Sequence, residues 1–175
     1  PIDSIRYYKH FLQAGMMSMN PKNGHVMAWV GGINYRNFQY DHVMQSKRQI
    51  GSTFKPFLYA TAIDQLKLSP CDMLPDAIHC IESYKYGNPD PWCPTNSSDK
   101  YGGMRTLSNA LANSKNTISA QLIDRVGPRP VADLARNLGV SSNIPNVPAI
   151  ALGTPDLSVY AVSYTHLTLP TNSGV

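Results

Sequence analysis

The stretch that decides the fold of this chain reads Arg48-Gln49-Ile50-Gly51-Ser52-Thr53-Phe54-Lys55-Pro56-Phe57. It opens an apolar segment that continues to about Leu66 and leaves little polar face, which predicts a buried helix. Proline is tolerated only within the first turn, so we expect the helix to begin near Ser52. Residues three positions apart share a helix face, and the Ser52 hydroxyl and the Lys55 ammonium are therefore predicted to lie close together.

Ser52 and Lys55 have the chemistry of a nucleophile beside its base. Apolar neighbours would lower the pKa of the Lys55 amine by desolvation, and a neutral amine can accept the serine proton. Gly51 permits a tight turn, and the positive end of the helix would favour an oxyanion. The alternative is a capping serine followed by a surface lysine. The same spacing recurs at Ser97-Ser98-Asp99-Lys100, where polar surroundings predict a solvated surface segment.

The composition limits the class of protein. The chain has 175 residues and a formal net charge of +4, which suits one domain or a piece of a larger protein. Its positive charges are scattered and are not interleaved with aromatic side chains, so no nucleic-acid partner is expected. No apolar run approaches the roughly 18 residues of a membrane span. Both termini look cut, and targeting information is expected to lie outside this sequence.

A hairpin is predicted near the start of the chain. Two apolar runs, residues 14–19 and 25–30, flank the turn-forming sequence Asn20-Pro21-Lys22-Asn23-Gly24. Gly24 suits the left-handed position of such a loop. Residues 34–45 have no clear period and are predicted to form a loop.

The second half of the chain is predicted to be irregular first and helical afterwards. Residues 68–105 contain several prolines and all three cysteines, and so read as an excursion too long for a simple loop. Thr106 has the character of a helix N-cap, and Thr154 with Pro155 is predicted to start the last helix. The helices expected between these points cover residues 107–113, 117–126 and 130–138.

The three cysteines, Cys71, Cys80 and Cys93, leave two alternatives open. Either two of them form one disulfide and the third stays a free thiol, or all three are buried free thiols. A Cys80–Cys93 bridge is one candidate pairing. A zinc site that adds His79 is disfavoured because no Cys-x-x-Cys pair exists and adjacent His79-Cys80 is awkward for tetrahedral ligation. No metal and no other cofactor is expected.

Three further stretches agree with the first in order and spacing. Ser114-Lys115-Asn116 lies between two predicted helices and begins 62 residues after Ser52, since 114 − 52 = 62. The stretches that carry the pattern are Asn20–Gly32, Arg48–Phe57, Ala110–Thr117 and Ala151–Thr154. Together, over about residues 10 to 162, they resemble the transpeptidase domain of the class A penicillin-binding proteins.

The resemblance implies a fold and a reaction. The fold would be α+β, of the serine β-lactamase and penicillin-binding-protein transpeptidase type, with an antiparallel sheet packed on a helical subdomain. Ser52 would attack the D-Ala-D-Ala bond of a peptidoglycan stem peptide, and Lys55 would take its proton. Ser114 would relay a proton, Asn116 would bind the substrate backbone, and the Ser52 N–H would supply half of the oxyanion hole. β-Lactams would acylate Ser52.

The sequence departs from the family pattern in two places. The third motif, Lys-Thr/Ser-Gly, does not occur, so the fold is expected to lack its C-terminal strands and the fragment is expected to be inactive alone. Residues 163–175 do not resemble the family and read as a truncation artefact or a divergent loop. Residues 1–12 would lead in from a glycosyltransferase or linker region, and residues 13–162 would form a partial transpeptidase domain.

The resemblance also implies a location and leaves alternatives. The parent protein would be membrane-anchored at the periplasmic face of the inner membrane, with this segment soluble and outside the cytoplasm. A class A β-lactamase needs a glutamate that activates water, and the only glutamate here is Glu82 in the irregular excursion. A β-lactam sensor or binding module would use the same acylation residues, so the sequence leaves that alternative open.

Overall fold

The computed structural model describes residues 2–163, which divide into two units. One unit comprises residues 2–47 and 157–163, and the other comprises residues 48–156. The chain crosses between them within two short strands, β3 (Lys47–Gln49) and β6 (Asp156–Ser158). Within residues 2–163, no helix has both the length and the apolar character that crossing a membrane requires. The predicted tail lies outside the described residues from position 164 onward.

The first unit contains the predicted hairpin. Helix α1 (Ile2–Lys9) precedes strands β1 (Met16–Met19) and β2 (Val26–Val30), which pair antiparallel. In the connecting loop, the Gly24 N–H donates to the Asn20 carbonyl, and Gly24 has a φ of 71°. Both the hairpin and the left-handed glycine are confirmed. Residues 34–45 form a loop without helix or strand, also as predicted.

The prediction of a helix that begins at Thr154 and Pro155 is wrong. Strand β6 follows Pro155, and helix α6 (Val159–Ser163) begins only after it. The Pro155 carbonyl accepts the Ile50 N–H at 3.3 Å. This bond joins two distant segments of the chain, as bonds between extended segments do, and it is not a bond within a helix. The helix cap is instead Ser158, whose hydroxyl accepts the Ala161 N–H at 3.1 Å. Thr-Pro reads locally as a helix start, but a long-range backbone bond decides the conformation here.

The second unit is mainly helical. Its helices are α2 (Lys55–Leu66), α3 (Leu107–Ala112), α4 (Asn116–Val126) and α5 (Pro128–Asn137), with 3₁₀ segments at Gly51–Phe54 and Pro148–Leu152. Helix α2 packs against α4, α5 and α3. Its buried face meets apolar residues of those helices in a core that includes Phe54, Leu58, Ala62, Ile118, Leu122, Ile123, Val131 and Ile150, all fully buried. The buried helix and the helices that follow Thr106 are confirmed.

The irregular excursion is tied together at its base and in its middle. Strands β4 (Met73–Pro75) and β5 (Met104–Thr106) pair antiparallel and close it, and a disulfide joins Cys80 to Cys93. Cys71 is a free, exposed thiol. The structure therefore has one disulfide with one free thiol rather than three buried thiols. The disulfide also uses two of the four ligands that the zinc alternative would have needed.

Candidate active site

Ser52 lies in a 3₁₀ turn that leads directly into α2. The turn covers Gly51–Phe54, and Gly51 enters it with a φ of 58°, which favours glycine. An α-helical bond to the Ser52 carbonyl would have to come from the N–H of Pro56, which proline lacks. The Lys55 N–H donates to that carbonyl instead, which gives the tighter 3₁₀ pattern. The α-helix therefore begins at Lys55, three residues later than predicted, and Ser52 with Lys55 still share a face because 3₁₀ side chains at i and i+3 eclipse.

Lys55 is fully buried, and within residues 2–163 its Nζ donates hydrogen bonds to neutral oxygen atoms only. Its Nζ donates to the Ser114 carbonyl at 2.8 Å, to Ser114 Oγ at 2.9 Å and to Asn116 Oδ1 at 2.7 Å. Burial lowers the pKa of Lys55 from 10.5 to about 8, as the apolar sequence around it predicts. A substantial fraction of the molecules would then hold a neutral amine in mildly alkaline solution.

Ser114 occupies the left-handed residue at the end of α3. Its N–H donates to the Leu111 carbonyl and the next N–H, of Lys115, donates to the Ala110 carbonyl, which together form a Schellman motif. Glycine is usual at this position, yet Ser114 adopts a φ of 52°. Its hydroxyl lies 2.8 Å from Ser52 Oγ. Ser114 therefore keeps a backbone conformation that is unfavourable for a residue with a side chain, and it does so at the position where its hydroxyl reaches Ser52.

Asn116 is held in one orientation by its neighbours. Its Nδ2 donates to the Thr95 carbonyl at 2.8 Å, which turns Oδ1 toward Lys55. Its backbone N–H donates to Asn96 Oδ1 at 3.0 Å, and the N–H of Thr117 donates to the same oxygen at 3.3 Å. The Asn96 side chain thereby bonds the first two N–H groups of α4, which have no partner within the helix.

A buried polar cluster lies behind the Ser114-Lys115-Asn116 segment. Asp76 is 1% exposed; its Oδ1 accepts from Thr117 Oγ1 at 2.7 Å and from Asn96 Nδ2 at 2.8 Å. Lys115 Nζ lies 2.9 Å from Asp76 Oδ2. Burial alone would raise the pKa of Asp76, but hydrogen bonds from Lys115, Thr117 and Asn96 and the charge of Lys115 together hold it below its usual value.

Sequence reasoning did not identify this cluster. Asp76 interrupts the short apolar sequence Met73-Leu74-Pro75 and Ala77-Ile78, and a charged residue in such a run was the available signal. Thr95 and Asn96 offer no signal, because Thr-Asn-Ser in a polar stretch reads as a turn. Their contacts with Asn116 are visible only once the excursion is folded.

The structure brings all four predicted site residues together, with one difference in connectivity. Among the described residues, the hydrogen bonds of Lys55 Nζ go to Ser114 and Asn116, and Ser52 Oγ is reached through Ser114 Oγ. The connection between nucleophile and base is thus a chain of two hydrogen bonds. The second Ser-x-x-Lys stretch has no such arrangement: Ser97 and Lys100 are exposed at a turn, as predicted.

Comparison with known proteins identifies the family. Residues 14–149 match the model of the penicillin binding protein transpeptidase domain. The chain is 33% identical over 153 residues to penicillin-binding protein 1A of Neisseria meningitidis (serogroup A) and 31% identical to that of Escherichia coli K12. Each alignment covers 87% of this chain, and the chain spans about a fifth of those relatives, 19% and 18%.

Solved structures give the same result for the fold. The crystal structure of penicillin-binding protein 1A from Haemophilus influenzae superposes with a TM-score of 0.76 at 30% identity, over 86% of this chain and 22% of that one. PonA1 of Mycobacterium tuberculosis, solved in complex with penicillin V, superposes with a TM-score of 0.68 at 23% identity, over 91% of this chain and 45% of that one. The mixed helical and antiparallel architecture is therefore a partial transpeptidase fold, and the chain belongs to the penicillin binding protein transpeptidase domain family.

Proposed function

We propose that this chain carries the acylation centre of a serine D,D-transpeptidase that cross-links peptidoglycan stem peptides and is inhibited by β-lactams. The observation that carries the proposal is the hydrogen-bond chain from Ser52 through Ser114 to a buried Lys55. Membership of the transpeptidase family supports the reaction class. The roles of individual residues follow from the contacts of each atom.

The acceptors around Lys55 determine where its lone pair would point. The Ser114 carbonyl and Asn116 Oδ1 can only accept, so they hold two N–H bonds of Lys55 in either protonation state. The third bond of Nζ faces Ser114 Oγ, which can either accept or donate. When Lys55 loses a proton, its lone pair therefore faces the Ser114 hydroxyl. Ser114 can then donate to Lys55 and accept from Ser52.

The first half-reaction would follow this path. Ser52 Oγ attacks the carbonyl carbon between the two terminal D-alanines while its proton passes to Ser114 Oγ and the Ser114 proton passes to Lys55. The Ser52 N–H would stabilise the oxyanion, together with a donor outside this chain. Collapse breaks the C–N bond, and Lys55 returns the proton through Ser114 to the leaving amine of D-alanine. An acyl-enzyme ester on Ser52 remains.

The second half-reaction would reverse the proton path. The amine of a second stem peptide attacks the ester carbonyl and gives up a proton through Ser114 to Lys55. The ester C–O bond then breaks, Ser52 Oγ regains a proton, and the new peptide bond is the cross-link. Asn116 would bind the donor peptide, because its Nδ2 has a second N–H besides the one donated to Thr95. Opening of a β-lactam ring would stop at the acyl-enzyme.

Labelling with a fluorescent penicillin tests the proposal. The polypeptide encoded by the complete reading frame that contains this sequence should be labelled covalently, and Ser52→Ala should abolish the label. Ser97→Ala removes the hydroxyl of the other, exposed Ser-x-x-Lys stretch and should leave labelling unchanged. Labelling that persists in Ser52→Ala would exclude Ser52 as the nucleophile.

The fate of the acyl-enzyme separates the remaining candidates. Transfer of a stem-peptide acyl group to an acceptor amine supports a transpeptidase, and acylation without transfer supports a sensor. Sustained hydrolysis of nitrocefin would instead indicate a β-lactamase. Family resemblance further favours residues 13–162 as part of a periplasmic transpeptidase domain, with 1–12 leading in from a glycosyltransferase or linker region of a membrane-anchored parent and 163–175 as a non-family tail.

The 175-residue chain tested alone should not be labelled, since its sequence contains no Lys-Thr-Gly or Lys-Ser-Gly motif. In the proposed function, the strand that carries this motif would supply the site for the substrate carboxylate and the second donor of the oxyanion hole. Labelling of the purified chain that disappears in Ser52→Ala would contradict this expectation.

A further inference from the structure

The fourth sequence stretch, Ala151–Thr154, takes no part in the proton path and yet meets the nucleophile turn directly. The Gly51 N–H donates to the Gly153 carbonyl at 2.9 Å. Two residues further along, the Ile50 N–H donates to the Pro155 carbonyl at 3.3 Å. These two bonds fix the backbone that immediately precedes Ser52.

Gly153 has no room for a side chain. A Cβ at this position would overlap the carbonyl group of Gly51 and lie 2.7 Å from Gly51 Cα. Backbone atoms of a 3₁₀ turn cannot rotate out of the way as the end of a flexible side chain can. Gly153 also has a φ of 77°, so glycine is favoured here on conformational grounds as well.

Both partners are held firmly on their other sides. Gly153 ends the 3₁₀ segment Pro148–Leu152, whose Ile150 and Ala151 are completely buried. Gly51 begins the turn whose last residue, Phe54, is completely buried. Because neither side can retreat without disturbing the core, an added methyl group would displace Gly51 and the Ser52 that follows it.

We propose that Gly153 is a positioning residue for the nucleophile: its bare Cα lets two backbones meet and so holds Ser52 Oγ within hydrogen-bond distance of Ser114 Oγ. The inference rests on the proposed function for its catalytic consequence. Its structural premise, the close contact between Gly51 and Gly153, does not depend on that function. Ser114 lies at the end of α3, and hydrogen bonds to Ser114 and Asn116 hold the Lys55 side chain, so neither Ser114 Oγ nor Lys55 Nζ is expected to follow Gly51.

The test compares Gly153→Ala with Gly87→Ala in the polypeptide of the complete reading frame. Gly87 has the same φ of 77°, and nothing lies within 4 Å of the Cβ it would gain, so this variant carries the conformational cost without the overlap. Acylation by a fluorescent penicillin is measured as a rate constant for the folded molecules and as a dissociation constant of the complex that precedes acylation. A lower folded fraction would reduce the amplitude but not the rate constant.

In Gly153→Ala we expect the acylation rate constant to fall by about 100-fold or more, the order of magnitude for a misplacement of about 1 Å. The dissociation constant should change by less than about threefold, and Gly87→Ala should acylate at the wild-type rate. A rate constant in Gly153→Ala within threefold of wild type would overturn the proposal. So would an equal loss in both variants.

Hydrogen exchange decides the remaining outcomes. If Gly153→Ala does not fold, the Gly51 amide of the wild-type protein is measured: strong protection supports the contact with Gly153, and exchange at the rate of an open chain overturns it.

If the wild-type protein is not acylated at all, the proposed function fails but the contact is still tested. Faster exchange of the Ser52 and Thr53 amides in Gly153→Ala than in Gly87→Ala then supports the positioning role, and equal exchange overturns it.

Discussion

The two Ser-x-x-Lys stretches have the same spacing and opposite environments. Lys55 is fully buried and donates to three neutral oxygens, whereas Lys100 is exposed beside the turn at Ser97 and Ser98. The first stretch opens a helix with an apolar surface, and the second lies in a polar segment. The same spacing therefore produces a reactive arrangement only in the first stretch, where burial without a counter-ion lowers the pKa of the Lys55 amine.

The second stretch nevertheless supports the site through its main chain. The Lys100 carbonyl accepts from Asn96 Nδ2 at 3.1 Å and lies 3.4 Å from Lys115 Nζ. Asn96 in turn binds the N–H groups that begin α4. One stretch thus supplies the reacting side chains, and the other supplies a backbone oxygen to the cluster behind them.

The largest expected effect is a loss of acylation rate when the amine of the first stretch is removed, with removal of the amine of the second stretch as the control. Lys55→Met should reduce the acylation rate by about 1,000-fold or more, because a positioned base contributes roughly 100- to 10,000-fold. Lys100→Met should leave the rate unchanged, since its side chain is exposed. Both rates are measured with a fluorescent penicillin on the polypeptide of the complete reading frame. Comparable losses in the two variants would show that burial does not distinguish the stretches.

The next effect concerns the cluster that both stretches share. Asp76→Asn leaves Lys115, whose side chain is only 13% exposed, without its carboxylate. Breaking a buried ion pair costs about 3–5 kcal/mol, and we expect a loss of that order in the free energy of unfolding measured by urea denaturation. Asp99→Asn makes the same change at an exposed position of the second stretch and should cost less than about 0.5 kcal/mol.

The lowered pKa of Asp76 gives this contribution a pH dependence. A carboxyl group with a depressed pKa in the folded state stabilises the protein above its unfolded pKa of about 3.9. The stabilisation is lost as the pH falls through the lower folded value. The difference in unfolding free energy between wild type and Asp76→Asn should therefore shrink below about pH 4. A difference that stays constant into acid would show that the charge of Asp76 is not its source.

The pH dependence of acylation tests the first stretch directly, through the pKa of Lys55. Only neutral Lys55 can accept a proton, and its pKa is about 8. The acylation rate should therefore rise about tenfold per pH unit below pH 8 and level off above it. A stopped-flow rate profile measures this directly. A profile that continues to rise to pH 10 would mean that Lys55 keeps the pKa of an exposed lysine.

Much of this arrangement is predictable from local sequence. The apolar residues after Ser52, the single Pro56 and the turn formers around Gly24 each specify a local conformation. The hairpin forms where predicted, and the buried helix forms with its α-helical part beginning three residues late, at Lys55. The pairing of Ser52 with Lys55 was predicted from helical spacing, and the roles of Ser114 and Asn116 were predicted from the family resemblance. In the structure, Ser114 Oγ lies between Ser52 Oγ and Lys55 Nζ, and Asn116 Oδ1 accepts from Lys55. The helix, the hairpin and the pairing of Ser52 with Lys55 depend on short-range rules, whereas the contacts of Ser114 and Asn116 with Lys55 are long-range and were accessible only through the resemblance.

The features that were missed depend on distant backbone contacts. The Thr154-Pro155 sequence suggests a helix start, but the bond from Ile50 to the Pro155 carbonyl keeps the chain extended. Likewise, Asn96 is an ordinary turn residue until the excursion folds and brings its oxygen to the N-terminus of α4. No periodicity or propensity reports such contacts, because they join residues that are 20 to 105 positions apart, as 116 − 96 = 20 and 155 − 50 = 105.

The smallest expected change in the free energy of unfolding is at Ser114, a residue with a left-handed backbone, where stability and activity should change in opposite directions. Ser114 has a φ of 52° at the glycine position of a Schellman motif, a conformation that costs a non-glycine residue about 1–2 kcal/mol. Ser114→Gly should therefore raise the free energy of unfolding, by about 1 kcal/mol after the greater freedom of glycine in the unfolded chain is counted. It should also abolish rapid acylation, because the hydroxyl between Ser52 and Lys55 is gone.

Asp99 provides the matched control, since it adopts a φ of 48° within the second Ser-x-x-Lys stretch. Asp99→Gly should give a similar gain in urea denaturation while the acylation rate stays at the wild-type value. Ser114→Ala keeps the strained backbone and loses the hydroxyl, so it should lose acylation without the gain. If Ser114→Gly is no more stable than Ser114→Ala, the left-handed conformation carries no strain. Serine would then adopt the left-handed conformation without loss of stability, and no stability would be given up to place its hydroxyl beside Ser52.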